Sequence, residues 1–178
     1  MFMKLNNVRL SFPDLFVSTQ INGEGDKKFR GTFLIAKDHP QIKEVEAEIL
    51  RVVELKWPGK GESIIKQIRN NPMRFCLRDG ETKDYEGYAG NMFISASNKT
   101  RPLTIDADKS FLTEEDGKLY SGAWVNVAIE FYAYDNSGKG VAASLRGVQF
   151  AKHGDAFAGG TPASADDFDD CSIENEFV

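Results

Sequence analysis

Residues 123–152 read "AWVNVAIEFYAYDNSGKGVAASLRGVQFAK". In the first twelve of them Val125, Val127, Ile129 and Phe131 alternate with Asn126, Glu130, Tyr132 and Tyr134. A period of two is the mark of a strand with one buried face. "DNSGKG" (135–140) then supplies turn-forming residues, and a second apolar run follows, so the stretch predicts a β-hairpin. In that second run the apolar face changes phase around Gly147, as a β-bulge or a barrel corner requires.

Working outward, the alternation recurs upstream. "KLNNVRLSF" (4–12) predicts an opening strand closed by Pro13, and "NGEGD" (22–26) a turn. In "KKFRGTFLIA" Phe29, Phe33 and Ile35 share one face and Lys28, Arg30 and Thr32 the other. "MRFCLRD" alternates Met73, Phe75 and Leu77 with Arg74, Cys76 and Arg78. "NMFISASNK" places Met92, Ile94 and Ala96 opposite Phe93, Ser95, Ser97 and Lys99, and "RPLTID" is a short strand. Between these runs the period changes. Ile42, Val45, Ile49, Val52 and Val53 fall at helical spacing, with Asp38 as the expected N-cap and Pro58-Gly59 as the stop. "ESIIKQIRN" (62–70) predicts a second, shorter helix. Half-apolar strands with one helical insertion predict a mainly β fold, a five-stranded antiparallel barrel of the OB type, with a β-sandwich as the competing architecture.

The chain has 178 residues, enough for one domain with a tail, and is 41% hydrophobic, enough for a proper core. Its net charge of −5 is unevenly placed. Residues 155–178 contain seven acidic and no basic residues, which leaves 27 − 7 = 20 acidic against 22 basic in residues 1–154, a net of +2. "AFAGGTPAS" (156–164) predicts a flexible linker into "ADDFDDCSIENEFV" (165–178). So acidic a segment cannot bury enough apolar surface to offset the entropy of ordering it, and it is expected to be disordered. The expected division is a body at 1–154 and a linker with acidic tail at 155–178. Such a tail can serve as a solubiliser; a slightly basic body tethered to a polyanion also suggests a nucleic-acid or basic-protein partner.

Two cysteines (Cys76, Cys171) and two histidines (His39, His153) lack metal-site spacing, and no metal or cofactor is expected. No apolar run approaches the roughly 18 residues of a membrane span, and "MFMKLNNVRL" is too polar for a signal-peptide core, so a soluble, intracellular protein without membrane partners is expected. "PGKGES" lacks the spacing of a phosphate loop. Asp79, Glu81 and Lys83 in "RDGETKDY" resemble a nuclease carboxylate–lysine set, but they fall in a Gly-rich turn that reads as a solvated loop. No catalytic residue is assigned.

"DYEGYAGNMFISASNKTRP" (84–102) is more informative. Tyr85, Tyr88 and Phe93 interleave with glycines and are followed by Lys99 and Arg101. Single-stranded nucleic acid needs this combination: rings to stack on bases and cations to track phosphates, each stacked base being worth about 1–3 kcal/mol. Arg30, Arg74, Arg78 and Arg146, with Tyr132, project from predicted polar faces and extend the track.

"VRLSFPDLF", "FRGTFLIAKDHPQI", "DYEGYAGNMFISASNKTRP" and "GVQFAKHGDAFAGG" occur in this order ahead of the acidic tail. The set, covering about residues 5–160, resembles the phage-encoded single-stranded DNA-binding proteins. The resemblance implies an OB fold, sequence-independent binding of single strands in phage replication, recombination or repair, location in the host cytoplasm, and room for self-association on DNA. It also implies that Asp166, Asp167, Asp169, Asp170, Glu174, Glu176 and Phe177 recruit replication proteins and compete with DNA for the body. Here Phe177 is followed by Val178, where tails of this kind end in or near Phe. A recombination or annealing factor, or a structural or assembly protein, are the alternatives.

Overall fold

The β-hairpin of residues 124–152 is the longest pairing in the barrel. A computed structural model describes residues 2–157 and 165–172. Strand β6 (Trp124–Asp135) pairs antiparallel with β7 (Lys139–Lys152), and the register shifts where Ala128 faces Gly147 but Ile129 faces Leu145. Arg146 is the extra residue, so Leu145 and Val148 both point inward, as the phase change predicts. A second shift makes Ala151 extra between Phe150 and Lys152.

The other strands are β1 (Met3–Ile21), β2 (Glu24–Ala36), β3 (Leu77–Asp79), β4 (Asn91–Asn98) and β5 (Leu103–Ile105). β4, β2, β1, β6 and β7 pair in that order, and β4 then pairs with β7 to close a five-stranded barrel. The closing contact, Ala96 with Ala143 and Ser97 with Ser144, is parallel, whereas the other four barrel pairings are antiparallel as expected. β3 and β5 extend the sheet beside β4 and β7. Leu5, Leu10, Phe33, Ile35, Ile94, Val127, Ile129 and Leu145 fill the interior.

Helices α1 (Ile42–Lys56) and α2 (Gly61–Ile68) lie between β2 and β3. α1 buries Val45, Ile49, Val52 and Val53, one stripe of a 3.6-residue period, each fully buried side chain contributing about 1.5–3 kcal/mol. The helix does not begin at Asp38. Gln41 holds the cap position, and its side chain accepts from Asn6 N (2.8 Å) and donates to Lys4 O (2.9 Å), tying the helix start to β1. His39 bridges the same elements: Nδ1 accepts from Gln41 N at 3.0 Å and Nε2 meets Asn6 O at 2.7 Å.

Three further expectations are corrected. Pro13 does not end β1, because Phe12 and Pro13 form a bulge between Ser11↔Thr32 and Asp14↔Arg30, where a proline has no ladder hydrogen bond to lose. "MRFCLRD" is a strand only from Leu77. The residues before it are in turns after α2, so Met73 is 82% exposed while Cys76 is buried. The body does not stop at 154. Asp155 O accepts from Arg9, Phe157 N donates to Ser121 O (3.1 Å), and the Phe157 ring is buried, so residues 155–157 belong to the body and not to a linker. Residues 165–172 are exposed and contain one 3-10 turn, Ala165–Asp167. Among the described residues no helix is long and apolar enough to cross a membrane.

Two outcomes follow from this packing. A Cβ on Gly80 would overlap the carbonyl oxygens of Tyr88 and Asn91, backbone atoms that cannot turn aside. Gly80→Ala should lower stability by about 1–3 kcal/mol, read from the denaturant midpoint. Burial pushes the Cys76 thiol up to about 12, whereas Cys171 is exposed. Ellman's reagent at mildly alkaline pH should label Cys171 promptly and Cys76 only after denaturation.

Candidate nucleic-acid interface

On the outside of the closed barrel the cross-strand pairs of β2 and β4 stand in a row: Arg30↔Ser97, Thr32↔Ser95, Leu34↔Phe93. Barrel closure sets β7 beside them, with Ser144 opposite Ser97. The result is a floor of small side chains between larger walls. Two open depressions meet at Ser97. One, of about 500 Å³, is bounded by Phe12, Ile21, Arg30, Met73, Arg74 and Tyr134. The other, of about 400 Å³, is bounded by Lys28, Lys99, Tyr132, Ser144 and Arg146.

The cations of this groove are held in two ways. Arg30 and Arg74 are anchored on neutral groups. Arg30 donates to Thr19 O (2.7 Å) and Thr19 Oγ1 (3.2 Å). Arg74 donates to Asn136 O (2.9 Å), Ser137 O (3.0 Å) and Gly138 O (3.0 Å), which clamps the β6–β7 turn. Carbonyl and hydroxyl partners fix these guanidinium groups, and Asp14, the cross-strand partner of Arg30 in the same wall, accepts from the Thr19 hydroxyl at 2.9 Å. Lys99 and Arg146 instead meet carboxylates, Asp26 at 3.0 Å and Glu130 at 2.9 Å, on the surface. The hydrogen bond from Lys99 holds the Asp26 carboxyl below the usual carboxylate range. Tyr132 is about half exposed, lies 6.3 Å from the Tyr134 ring, and has its phenol pushed up by partial burial.

Five of the residues expected from the sequence, Arg30, Arg74, Lys99, Tyr132 and Arg146, are therefore gathered along one groove. Tyr85 stands at its rim, exposed, with its ring 5.0 Å from that of Phe12. Arg101 is elsewhere, over the Phe16 ring at 5.3 Å. Tyr88 and Phe93 are not available as stacking platforms: each is 2% exposed, and with Leu34 and Phe157 they form a second small core on the outside of the barrel. The Tyr88 hydroxyl donates to Ser11 Oγ at 3.0 Å, and Arg78 lies over the Phe93 ring at 5.0 Å. Sequence reasoning missed Phe12, Ile21 and Met73 as exposed apolar walls. The Phe-Pro pair inside a strand pattern was the available signal for Phe12, since proline in a strand points to a bulge.

The carboxylates of the nuclease-like run are engaged in folding their loop. Asp79 Oδ1 accepts from Glu81 N and Lys37 Nζ, both at 3.0 Å, and Glu81 Oε1 accepts from Gly90 N at 2.7 Å. Among the described residues no group of three or more His, Cys, Asp and Glu could hold a metal ion. Of the tail residues, Asp166, Asp167, Asp169 and Asp170 are exposed, whereas Glu174, Glu176 and Phe177 lie outside the described residues.

The chain is similar to known proteins along its whole length. The family model described as the ssDNA-binding protein of Enterobacter phage Enc34 matches residues 1–178. A putative protein p50 of Acyrthosiphon pisum secondary endosymbiont phage 1 is 57% identical over 178 residues, covering 99% of this chain and 97% of its own length. The single-stranded DNA-binding protein of bacteriophage Enc34, solved in complex with ssDNA, superposes with a TM-score of 0.72 at 27% identity, over 86% of this chain and 88% of that one. The bacteriophage T7 single-stranded DNA-binding protein gp2.5 shares the fold, with a TM-score of 0.59 at 13% identity over 95% of this chain and 97% of that one. With its closed OB-type barrel and a family match along its whole length, the chain belongs to the Enc34 phage ssDNA-binding protein family.

Proposed function

We propose that this protein binds single-stranded DNA without sequence preference, along the groove on the outer face of β2, β4 and β7. The observation that carries the reading is the composition of that groove. Anchored Arg30 and Arg74 line one stretch and Lys28, Lys99 and Arg146 the next, while Phe12, Tyr85, Tyr132 and Tyr134 offer rings of different orientation. Cations along a track with aromatic rings beside it suit a strand whose phosphates are continuous and whose bases are unpaired. No planar fork of donors aimed at a base edge is required, so binding is insensitive to sequence. A relative at 27% identity, solved in complex with ssDNA, supports the same ligand.

The acidic tail acts as a tethered competitor and as a recruiting segment for replication proteins in the host cytoplasm during phage replication, recombination or repair. Asp166, Asp167, Asp169, Asp170, Glu174 and Glu176 supply the charge and Phe177 an apolar anchor. Tethering by a short linker holds such a segment at about millimolar effective concentration, so weak attraction to the groove cations suffices, and a multivalent strand displaces it.

Fluorescent oligo-dT, with a matched duplex as control, tests both claims. The full chain should bind the single strand with an affinity that falls steeply with salt, each neutralised phosphate adding about 0.7 to the log–log slope. A chain ending at Gly160 should bind more tightly, most visibly at low salt. Absence of single-strand binding by both chains would overturn the reading, and equal affinity of the two would remove the tail's competition. Tyr132→Ala should weaken oligo-dT binding by about 5- to 100-fold while leaving the thermal midpoint nearly unchanged, because this ring is half exposed.

A further inference from the structure

The second small core outside the barrel is placed on the binding face. Leu34↔Phe93 is the next outward pair after Thr32↔Ser95 and Arg30↔Ser97, so at about 3.3 Å per residue it lies roughly 13 Å along β2 from Arg30. The groove would continue over this pair if the Phe157 ring did not lie on it. Phe157 is not part of the barrel strands. It comes from the residues after β7 and is 7% exposed.

We propose that the seat of Phe157 is a further nucleobase subsite, and that Phe157 occupies it as an internal stand-in until a bound strand displaces it. The inference rests on the single-strand reading above. Four features of the seat suit a base. Its floor is aromatic and aliphatic, with Tyr88 and Phe93 rings 5.2 Å apart beside Leu34. One wall is bare backbone: a Cβ on Gly87, whose φ is +87°, would come within 2.5 Å of the Phe157 ring, so a flat ring fits there because nothing projects. A guanidinium covers it, Arg9 lying 4.4 Å from the Phe157 centroid and held by a hydrogen bond to Gly122 O at 3.0 Å. A second, Arg78, lies over Phe93. Guanidinium planes stack on bases as they do on phenyl rings, but a nucleotide also brings a phosphate, which Phe157 cannot offer. Displacement therefore exchanges a neutral ring for a ring carrying a charge that both arginines attract.

Hydrogen exchange on the full chain, with and without saturating oligo-dT of about 16 nucleotides, decides the matter. The amide of Phe157, which donates to Ser121 O, should lose protection on DNA addition while residues 30–34 and 93–97 gain it. A bound strand with Phe157 still protected overturns the subsite and leaves the groove reading intact. An oligo that does not bind overturns both. In a second arm, Phe157→Ala should bind the long oligo several-fold more tightly and an oligo of about 4 nucleotides unchanged. Equal weakening on both lengths would mark Phe157 as a cover for the fold and overturn the proposal. Where that variant fails to fold, the exchange experiment on the unaltered chain stands alone.

Discussion

The outer surface depends on one closure, the parallel contact of β4 with β7 at Ala96–Ala143 and Ser97–Ser144. Without it the stretches of both strands that β3 and β5 do not cover would present unpaired edges. β7 reaches β4 because it is not straight: the extra residues Arg146 and Ala151 bend it and increase its twist. The buried alanines at the junction let the two backbones lie close, and the serines beside them keep the outside shallow. The groove is thus a consequence of closing the sheet, with small residues as its floor and the side chains of neighbouring strands as its walls.

That origin also explains how its charges are arranged. Arg30 and Arg74 hold backbone carbonyls of β1 and of the β6–β7 turn, so the groups that brace the barrel rim are the same groups that make the groove positive. Their geometry is set by these bonds, so a strand bound as proposed would order them at little cost. Lys99 and Arg146 are tied to surface carboxylates, and such exposed pairs are weak and screened by salt. A phosphate can replace either carboxylate at little cost. The helical insertion contributes indirectly: the turns after α2 carry Arg74 to the hairpin, and Tyr134 donates to Met73 O at 3.2 Å from the other side.

The aromatic residues divide into two populations that look alike in the chain. Tyr85 and Tyr132 are open to solvent, whereas Tyr88 and Phe93 are covered. Their neighbours in sequence are equally Gly-rich or polar, so local pattern could not separate them. What separates them is Phe157, some 64 residues beyond Phe93, brought back by Arg9 and by the backbone of Ser121. The same return extends the ordered body past the point where composition turns small and Gly-rich.

What the sequence determined alone is the local chemistry. Period-two alternation placed the barrel strands, helical spacing placed α1 and α2, the phase change at Gly147 placed a bulge, and the division of charge separated a slightly basic body from a polyanionic end. Each depends on near neighbours in the chain, where side-chain direction follows from backbone geometry. What the tertiary structure decided is which outward-facing residues remain outside. The parallel closure, the continuation of β1 through Pro13, the exposure of Met73 and the burial of Tyr88, Phe93 and Phe157 are set by partners far away in the chain. A face that alternation marks as outward becomes surface or second core according to what packs on it, and that is a property of the fold and not of any one segment.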